Sequence, residues 1–525
     1  MISLAHFLPK SNAMSQKLVR STSTVALFTF LSRIGGFLRD IILAGIFGAG
    51  GFFDAFVVAF RLPNFFRRLF GEGAFAQAFV PILAEQRAHQ TPEEVQAFVD
   101  HVAGSLTFVV TCFVLLAEIF APIVIMVFAP GFVHDPARFH ATIHLVRVMF
   151  PYLLLIVLTA FASAILNTYG VFGAPAFTPV MLNIALIGVA LLWAPHVAQP
   201  IYVLGWGVML GGVCQLLIQM PFLKRIQLMP RLRWGFLDPG VMRVMKRMLP
   251  ALFGVSVAQI GLLIDNVFAS FLPPGSVSWL YYSDRLIYFP LGIIGVALAT
   301  VVMPFLSKNH AEKDDTVFSA TLDWALRCTL FVGFPAAIGL FFVSAPILST
   351  LIHYGKFNNY DVIMTAKSLS AFAVGLPAFM AIKILASAFY ARQNISAPVR
   401  VAAITVGINI ILNFILVFPL KHAGLALATS LASTVNAVTL FVLLVRSHIF
   451  KPGRVWRKTI IQLVLANGVM AVVLMLLAGP VTPWLTWPAL TRAWHLAMVL
   501  FGGAVTYLLM LGVMGVRLKH FRSPN

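Results

Sequence analysis

Fourteen runs of apolar residues, separated by short polar or basic connections, organise this chain. They fall at roughly 23–47, 51–72, 102–128, 143–168, 176–195, 199–222, 248–272, 278–305, 319–346, 363–391, 399–419, 422–446, 458–479 and 490–516. Most exceed the ~20 residues a helix needs to cross a hydrocarbon layer of ~30 Å. Backbone in lipid must satisfy its own hydrogen bonds, so the pattern predicts an all-α polytopic membrane protein with fourteen transmembrane helices.

The composition of the 525 residues supports this: 60% are hydrophobic, 10% are charged, and mean hydropathy is +0.93. A formal net charge of +20 would suggest nucleic acid in a soluble protein. Here the basic residues lie mostly beside apolar runs, so no nucleic-acid partner is expected and the charge reads as orientation. The connection 223–247 carries Lys224, Arg225, Arg231, Arg233, Arg243, Lys246 and Arg247. Lys308, Lys313, Arg392, Lys451, Arg454, Arg457 and Lys458 lie in other even-numbered connections or at their edges, while the odd-numbered ones are nearly bare. Both termini are therefore expected in the cytoplasm. The three cysteines, Cys112, Cys214 and Cys328, all sit in apolar runs and form no disulfide or metal pattern. The first apolar run is too long for a cleaved signal, and "SNAMSQ" (11–16) resembles a cloning remnant before a natural start at Met14.

An internal repeat divides the chain. "AFAQAFVPIL" from Ala74 resembles "ALATVVMPFL" from Ala297, and Ala174-Pro175 matches Ala397-Pro398, both at an offset of 223 residues. This predicts two six-helix lobes in a parallel repeat plus a C-terminal helix pair, as in transporters that bind substrate between halves. The expected segments are a tag remnant or disordered leader (1–13), an N-lobe (14–222), a basic cytoplasmic linker (223–247), a C-lobe (248–446), and a final pair with its tail (447–525).

Charges at bilayer depth are the candidate chemistry, because each costs roughly 2.5–3.5 kcal/mol on insertion scales. "SRIGGFLRD" (32–40) supplies Arg33, Arg39 and Asp40, and the second run supplies Asp54, Arg61, Arg67, Arg68 and Glu72. Asp265, Asp284, Arg285 and Lys383 follow in spans 7, 8 and 10. Asp54, Arg61 and Arg68 share a face of an ideal helix, although Pro63 can break the phase. Arg33 and Arg39 converge only if Gly35-Gly36 loosens the helix. The excess of guanidinium groups points to an anion, with diphosphate a good match to their planar fork. The alternative is that the arginines pair with Asp40, Asp54, Asp284 and Glu72 as structural bridges. His140 and His144 stand four residues apart without a carboxylate at zincin spacing and read as incidental. Glu118 is a lone acid in span 3. Asn409 and Asn413 share a face of span 11 and either glue helices or, with Asp265, bind a small cation.

Four stretches together resemble the MurJ (MviN) family of lipid II flippases, within the wider group that includes the MATE exporters. They are "SRIGGFLRD" (32–40), "DAFVVAFRLPNFFRRLFGEGAFAQAFVPILAE" (54–85), "GSVSWLYYSDRLIYFPLGIIGVALATVVMP" (275–304) and "KHAGLALATS" (421–430). The resemblance implies a MATE-like fold and a transporter, not an enzyme. It implies movement of undecaprenyl-diphosphate-linked muropeptide from the inner to the outer leaflet of the bacterial inner membrane. It places the diphosphate-binding arginines at Arg33, Arg39, Arg67 and Arg285, with Asp40, Asp54, Asn64, Glu72 and Ser278 at further functional positions; Asp284 joins this set. A sodium site of some members would fall on Asp265, Asn409, Asn413, Leu425 and Thr429, where Asn413 replaces an aspartate. Tyr288 stands where some relatives carry a glutamate. No cofactor is implied; coupling to membrane potential, sodium or protons is open, and other cell-wall synthesis or division proteins are expected as partners. The rivals are a flippase for another lipid-linked glycan, a MATE-type cation antiporter, and a membrane enzyme acting on polyprenyl phosphates.

Overall fold

The computed structural model describes residues 13–68, 74–453 and 455–517. The first helices are α1 (Ala13–Phe47), α2 (Gly51–Arg67), α3 (Ala74–His89), α4 (Pro92–Ile119), α5 (Ala121–Phe128), α6 (Pro136–Met149) and α7 (Tyr152–Thr168). There follow α8 (Gly173–Leu192), α9 (Ile201–Leu217), α10 (Met220–Arg225), α11 (Pro239–Ser270), α12 (Ser276–Pro290) and α13 (Val296–Ala311). The last are α14 (Asp315–Phe342), α15 (Ser344–Leu351), α16 (Asn359–Ala391), α17 (Ser396–Arg446), α18 (Val455–Ala478), α19 (Val481–Thr486) and α20 (Ala489–Val513). A π-helical turn, Leu291–Gly295, joins α12 to α13. The described residues include no strand.

Helix covers every apolar stretch read from the sequence, as far as each is described. Ten helical stretches among the described residues are long and apolar enough to cross a membrane. One of them, α17, holds two of the expected spans. Its backbone leaves the helical region at Lys421 (φ 51, ψ −130), where the sequence separates residue 419 from residue 422. Helices α1, α2 and α11, which carry Arg33, Arg39, Asp54 and Asp265, lie outside those ten.

The repeat is visible in the element boundaries. Pro92 and Asp315, Ala121 and Ser344, Pro136 and Asn359, and Gly173 and Ser396 each begin equivalent helices 223 residues apart. The starts are enforced by local chemistry. Thr91 caps α4 in a reciprocal box with Glu94, and at the matching position Asp314 accepts from the backbone N–H groups of Thr316 and Val317 to cap α14. Pro81 of α3 and Pro304 of α13 also correspond. Helices α18 to α20 follow the repeat.

The chain groups into two compact units. The first comprises Met1–Leu43, Val58–Ile125 and Pro136–Ser256; the second comprises Ala44–Val57, Met126–Asp135 and Val257–Asn525. Two short pieces of the expected N-lobe thus group with the second unit. The first unit packs around an aromatic core in which Phe75, Phe79, Phe98 and Phe161 meet with ring centroids 5.1–6.0 Å apart. Such offset and edge contacts add stability beyond the area they bury. The core of the second unit is built on Phe318, Leu322, Ile384, Phe389, Leu440 and Phe450.

Candidate functional site

In the first unit, α1 runs unbroken through Gly35-Gly36. The pair does not open the helix, and a side chain from α8 lies against it. A Cβ at either position would touch Asn183 at 3.5–3.7 Å. Asn183 donates from Nδ2 to the Ser32 carbonyl (3.1 Å) and accepts from Arg39 Nη1 (3.0 Å). Arg39 also donates from Nε and Nη2 to Asp40 Oδ1, at 3.0 and 2.7 Å. Arg39 and Asp40 are both buried, with 5% and 4% exposure, so the structure brings this predicted pair together as a hydrogen-bonded ion pair. Charge-assisted bonds of this type offset the cost of taking both groups out of water. Asn183 was missed in the sequence; the available signal is a lone amide in an otherwise apolar span.

The other arginines of this unit are more accessible. Arg33 is exposed and Arg67, the last residue of α2, is half-buried. Asn64 donates back to the Phe60 carbonyl at 2.8 Å, one turn before, in the stretch around Pro63. Glu72 lies outside the described residues.

In the second unit, Asp54 is fully buried and caps a helix that is not its own. Its Oδ2 accepts from the Gly275 N–H (2.7 Å), and its Oδ1 accepts from the Ser278 N–H (2.8 Å) and hydroxyl (2.5 Å). These donors belong to the first turn of α12, where a carboxylate also meets the positive end of the helix dipole. Gly275 makes the turn possible: its φ is +97°, and a Cβ there would come within 2.7 Å of the Trp279 ring. Phe53, beside Asp54, stacks on Tyr282 at 5.4 Å. One turn further along α12, Arg285 is exposed, sits 5.0 Å from the Tyr281 ring centroid and donates to the Tyr281 hydroxyl at 3.4 Å. Asp284 beside it is half-buried. Tyr288 and Lys383 are exposed.

The third group, also in the second unit, brings five predicted residues together. Asn413 Nδ2 donates to Asp265 Oδ1 (2.8 Å) and to Asn409 Oδ1 (3.2 Å). Asn409 Nδ2 donates to the Thr429 hydroxyl (3.3 Å), which donates to Asp265 Oδ2 (3.2 Å) and to the Leu425 carbonyl (3.0 Å). Both oxygens of the one carboxylate therefore face N–H or O–H donors, in the place where a cation would present its charge. Asn413 Oδ1, buried, has no donor among the described residues. The set forms a hydrogen-bond network around Asp265, with the Asn413 oxygen left over. Of the remaining candidates, His144 packs on Tyr202 with ring centroids 4.5 Å apart, and no group of three potential metal ligands occurs among the described residues.

The fold defines the class, a helical membrane transporter. A solved multidrug resistance MATE family transporter in an inward-facing conformation matches 80% of this chain and 94% of its own, with TM-score 0.64 at 14% identity. A solved lipid II flippase MurJ in an inward closed conformation matches 93% of this chain and 98% of its own, with TM-score 0.79 at 28% identity. The sequence pattern of the family described as "Lipid II flippase MurJ" matches residues 43–493. A lipid II flippase MurJ from Burkholderia cenocepacia is 41% identical over 96% of this chain and 99% of its own length. Probable lipid II flippases from Vibrio cholerae and Buchnera aphidicola are 40% and 38% identical, each over 97% of this chain and 99% of their own length. The chain belongs to the lipid II flippase MurJ family, whose members are transporters and not enzymes. Its family and its repeated apolar helices make it a multi-pass protein of the inner membrane.

Proposed function

We propose that this protein moves lipid II from the inner to the outer leaflet by alternating access, with both termini in the cytoplasm. Arg33, Arg39, Arg67 and Arg285 bind the diphosphate through charge-assisted hydrogen bonds. The polyprenyl tail stays in lipid, guided by the helices that follow the repeat. The observation that carries this reading is the near full-length match to relatives named lipid II flippases, 38–41% identical over 96–97% of the chain. Its chemistry is supported by the exposure of Arg33 and Arg285, whose guanidinium groups are donors suited to phosphate oxygens. No cofactor enters the reading. A membrane potential negative inside favours outward movement of an anion by about 2.3 kcal/mol per charge per 100 mV.

The test is leaflet accessibility of lipid II in cells depleted of the native protein and complemented with Arg33→Ala, Arg67→Ala or Arg285→Ala. The expected result is that each variant inserts and leaves lipid II trapped inside. Normal exposure with all three would end the diphosphate-binding role. Normal lipid II exposure in the depleted cells themselves would remove lipid II as the substrate and favour another lipid-linked glycan.

A further inference from the structure

A cavity of about 760 Å³ in the second unit is lined by none of the arginines assigned to transport. It lies where α14 begins and where the connection from α17 to α18 runs beside that helix. Asp315, Ser319, Asp323 and Arg327, at four-residue intervals along α14, line it together with His448 and Lys451 of the connection. A four-residue step keeps side chains near one face of a helix. The connection is tied to that face: the Lys451 N–H donates to the Ser319 hydroxyl at 3.0 Å, and the Trp456 indole, in the first turn of α18, donates to Asp323 Oδ1.

The wall carries both signs of charge, and part of each is uncommitted. Asp315 Oδ1 accepts from Arg392 at 2.9 Å, whereas its Oδ2 has no hydrogen-bond partner among the described residues and the side chain is 69% exposed. Asp323 is occupied by Trp456 and by Arg327 Nε, which donates at 2.8 Å. The two terminal nitrogens of Arg327 have no hydrogen-bond partner among the described residues, and both are accessible. The exposed Lys451 ammonium forms no ion pair among them either. These charges are also ordered by depth. Asp315 is the first residue of α14, a helix long and apolar enough to cross a membrane, and Arg327 lies about 18 Å further along its axis. Beyond Arg327 the helix carries no charged residue to its end at Phe342. From the end of the span inward the order is acid, base, hydrocarbon. A phospholipid with an amine headgroup presents ammonium, phosphate and acyl chain in that same order. The helices flanking the connection expose Leu443 of α17 and Val455 and Ile460 of α18, apolar surface that acyl chains can cover.

We infer that this cavity holds the headgroup of a phospholipid bearing a primary amine. The lipid ammonium donates to Asp315 Oδ2, and the lipid phosphate accepts from the Lys451 ammonium and the terminal nitrogens of Arg327. A zwitterion satisfies both signs at once. An anionic headgroup offers nothing to Asp315, and a choline headgroup carries its positive charge without an N–H to donate. Bound there, the lipid joins α14 to the connection that leads into α18, as a fixed companion of the second unit and not as transported cargo.

The purified full-length protein tests this without any transport assay, so its outcome is independent of the substrate reading. Native mass spectrometry compares retention of phosphatidylethanolamine, phosphatidylcholine and phosphatidylglycerol added in equal amounts. The wild type should retain phosphatidylethanolamine about fivefold over either of the others, the effect of one exposed ion pair. Asp315→Asn removes the charge that meets the ammonium and should bring phosphatidylethanolamine down to the level of phosphatidylcholine, whose own retention stays unchanged. Lys451→Gln removes a phosphate partner and should lower both lipids alike. Both side chains are exposed, so neither change should impair folding. Equal retention of the three lipids by the wild type, a preference for phosphatidylglycerol, or phosphatidylethanolamine retention unchanged in either variant overturns the proposal; a phosphatidylglycerol preference would show that the cavity reads phosphate alone.

Discussion

Asp54 and Ser278 are joined twice over: one carboxylate oxygen of Asp54 accepts from both the backbone N–H and the hydroxyl of Ser278, 224 residues away in the chain. With the Gly275 N–H on the other oxygen, the start of α12 depends on a side chain from α2. Removing the carboxylate leaves buried donors unsatisfied, at about 1–3 kcal/mol each. Asp54→Ala should therefore lower the thermal unfolding midpoint most, Asp54→Asn less, and Ser278→Ala least, because Ser278→Ala keeps both backbone bonds. Gly275→Ala should rank with Asp54→Ala, since it meets both the positive φ and the Trp279 ring. Equal midpoints for Asp54→Ala and Ser278→Ala would show that Asp54 does not hold the helix start.

The four arginines assigned to diphosphate are not equivalent in structure, and their variants should separate. Arg39 is buried and bonded to Asp40 and Asn183, whereas Arg33 and Arg285 are exposed. Arg39→Ala removes the guanidinium from a buried ion pair, and breaking such a pair costs about 3–5 kcal/mol. It should lower the unfolding midpoint in detergent as well as abolish translocation. Arg33→Ala and Arg285→Ala should abolish translocation with midpoints near wild type. A destabilised Arg33→Ala would place that residue in the packing instead.

The contrast between Arg39 and Asn183 shows how far the sequence could be read. Apolar run length sets helices, so the helices over the apolar runs, the break near residue 420 and the repeat were legible. Charge at bilayer depth marks residues that must find partners, so Arg39, Asp40, Asp54 and Asp265 stood out. What each one meets was not legible, because partners come from distant helices. Asn183 looks like an ordinary amide in an apolar run until α8 packs on α1, and Gly35-Gly36 reads as a loosened helix although α1 runs unbroken through it. Likewise Asp54 reads as part of an arginine-lined face, whereas its oxygens point to the first turn of α12.

The network around Asp265 leads to a prediction about sodium. Donors from Asn413 and Thr429 face both carboxylate oxygens, so an ion would have to displace them. A hard cation is held by several oxygen ligands at once. The unfolding midpoint of the wild type should be the same in sodium and potassium chloride. Asn413→Asp replaces the amide donor with a second carboxylate and should create a midpoint that rises with sodium over potassium. Sodium stabilisation of the wild type, lost in Asp265→Asn, would show instead that the network opens to admit the ion.

His353 predicts a pH dependence confined to the acid side. The residue lies in the connection between α15 and α16, and burial, reinforced by repulsion from Arg492 and opposed by a hydrogen bond that the ring donates to Asn359, pushes its pKa below the usual 6.5. The neutral ring is the form that accepts from Arg492 Nη1, so protonation both breaks that bond and sets two cations against each other. Because the folded pKa is the lower one, the unfolded chain binds the proton more readily. The stabilising contribution is therefore complete above about pH 6.5 and is lost as pH falls through the folded value. The unfolding midpoint of the wild type should fall between pH 7.5 and pH 5 by more than that of His353→Asn, whose amide oxygen can replace Nδ1 as an acceptor and does not titrate. Parallel pH profiles for the two proteins would mean that His353 is not linked to folding through Arg492.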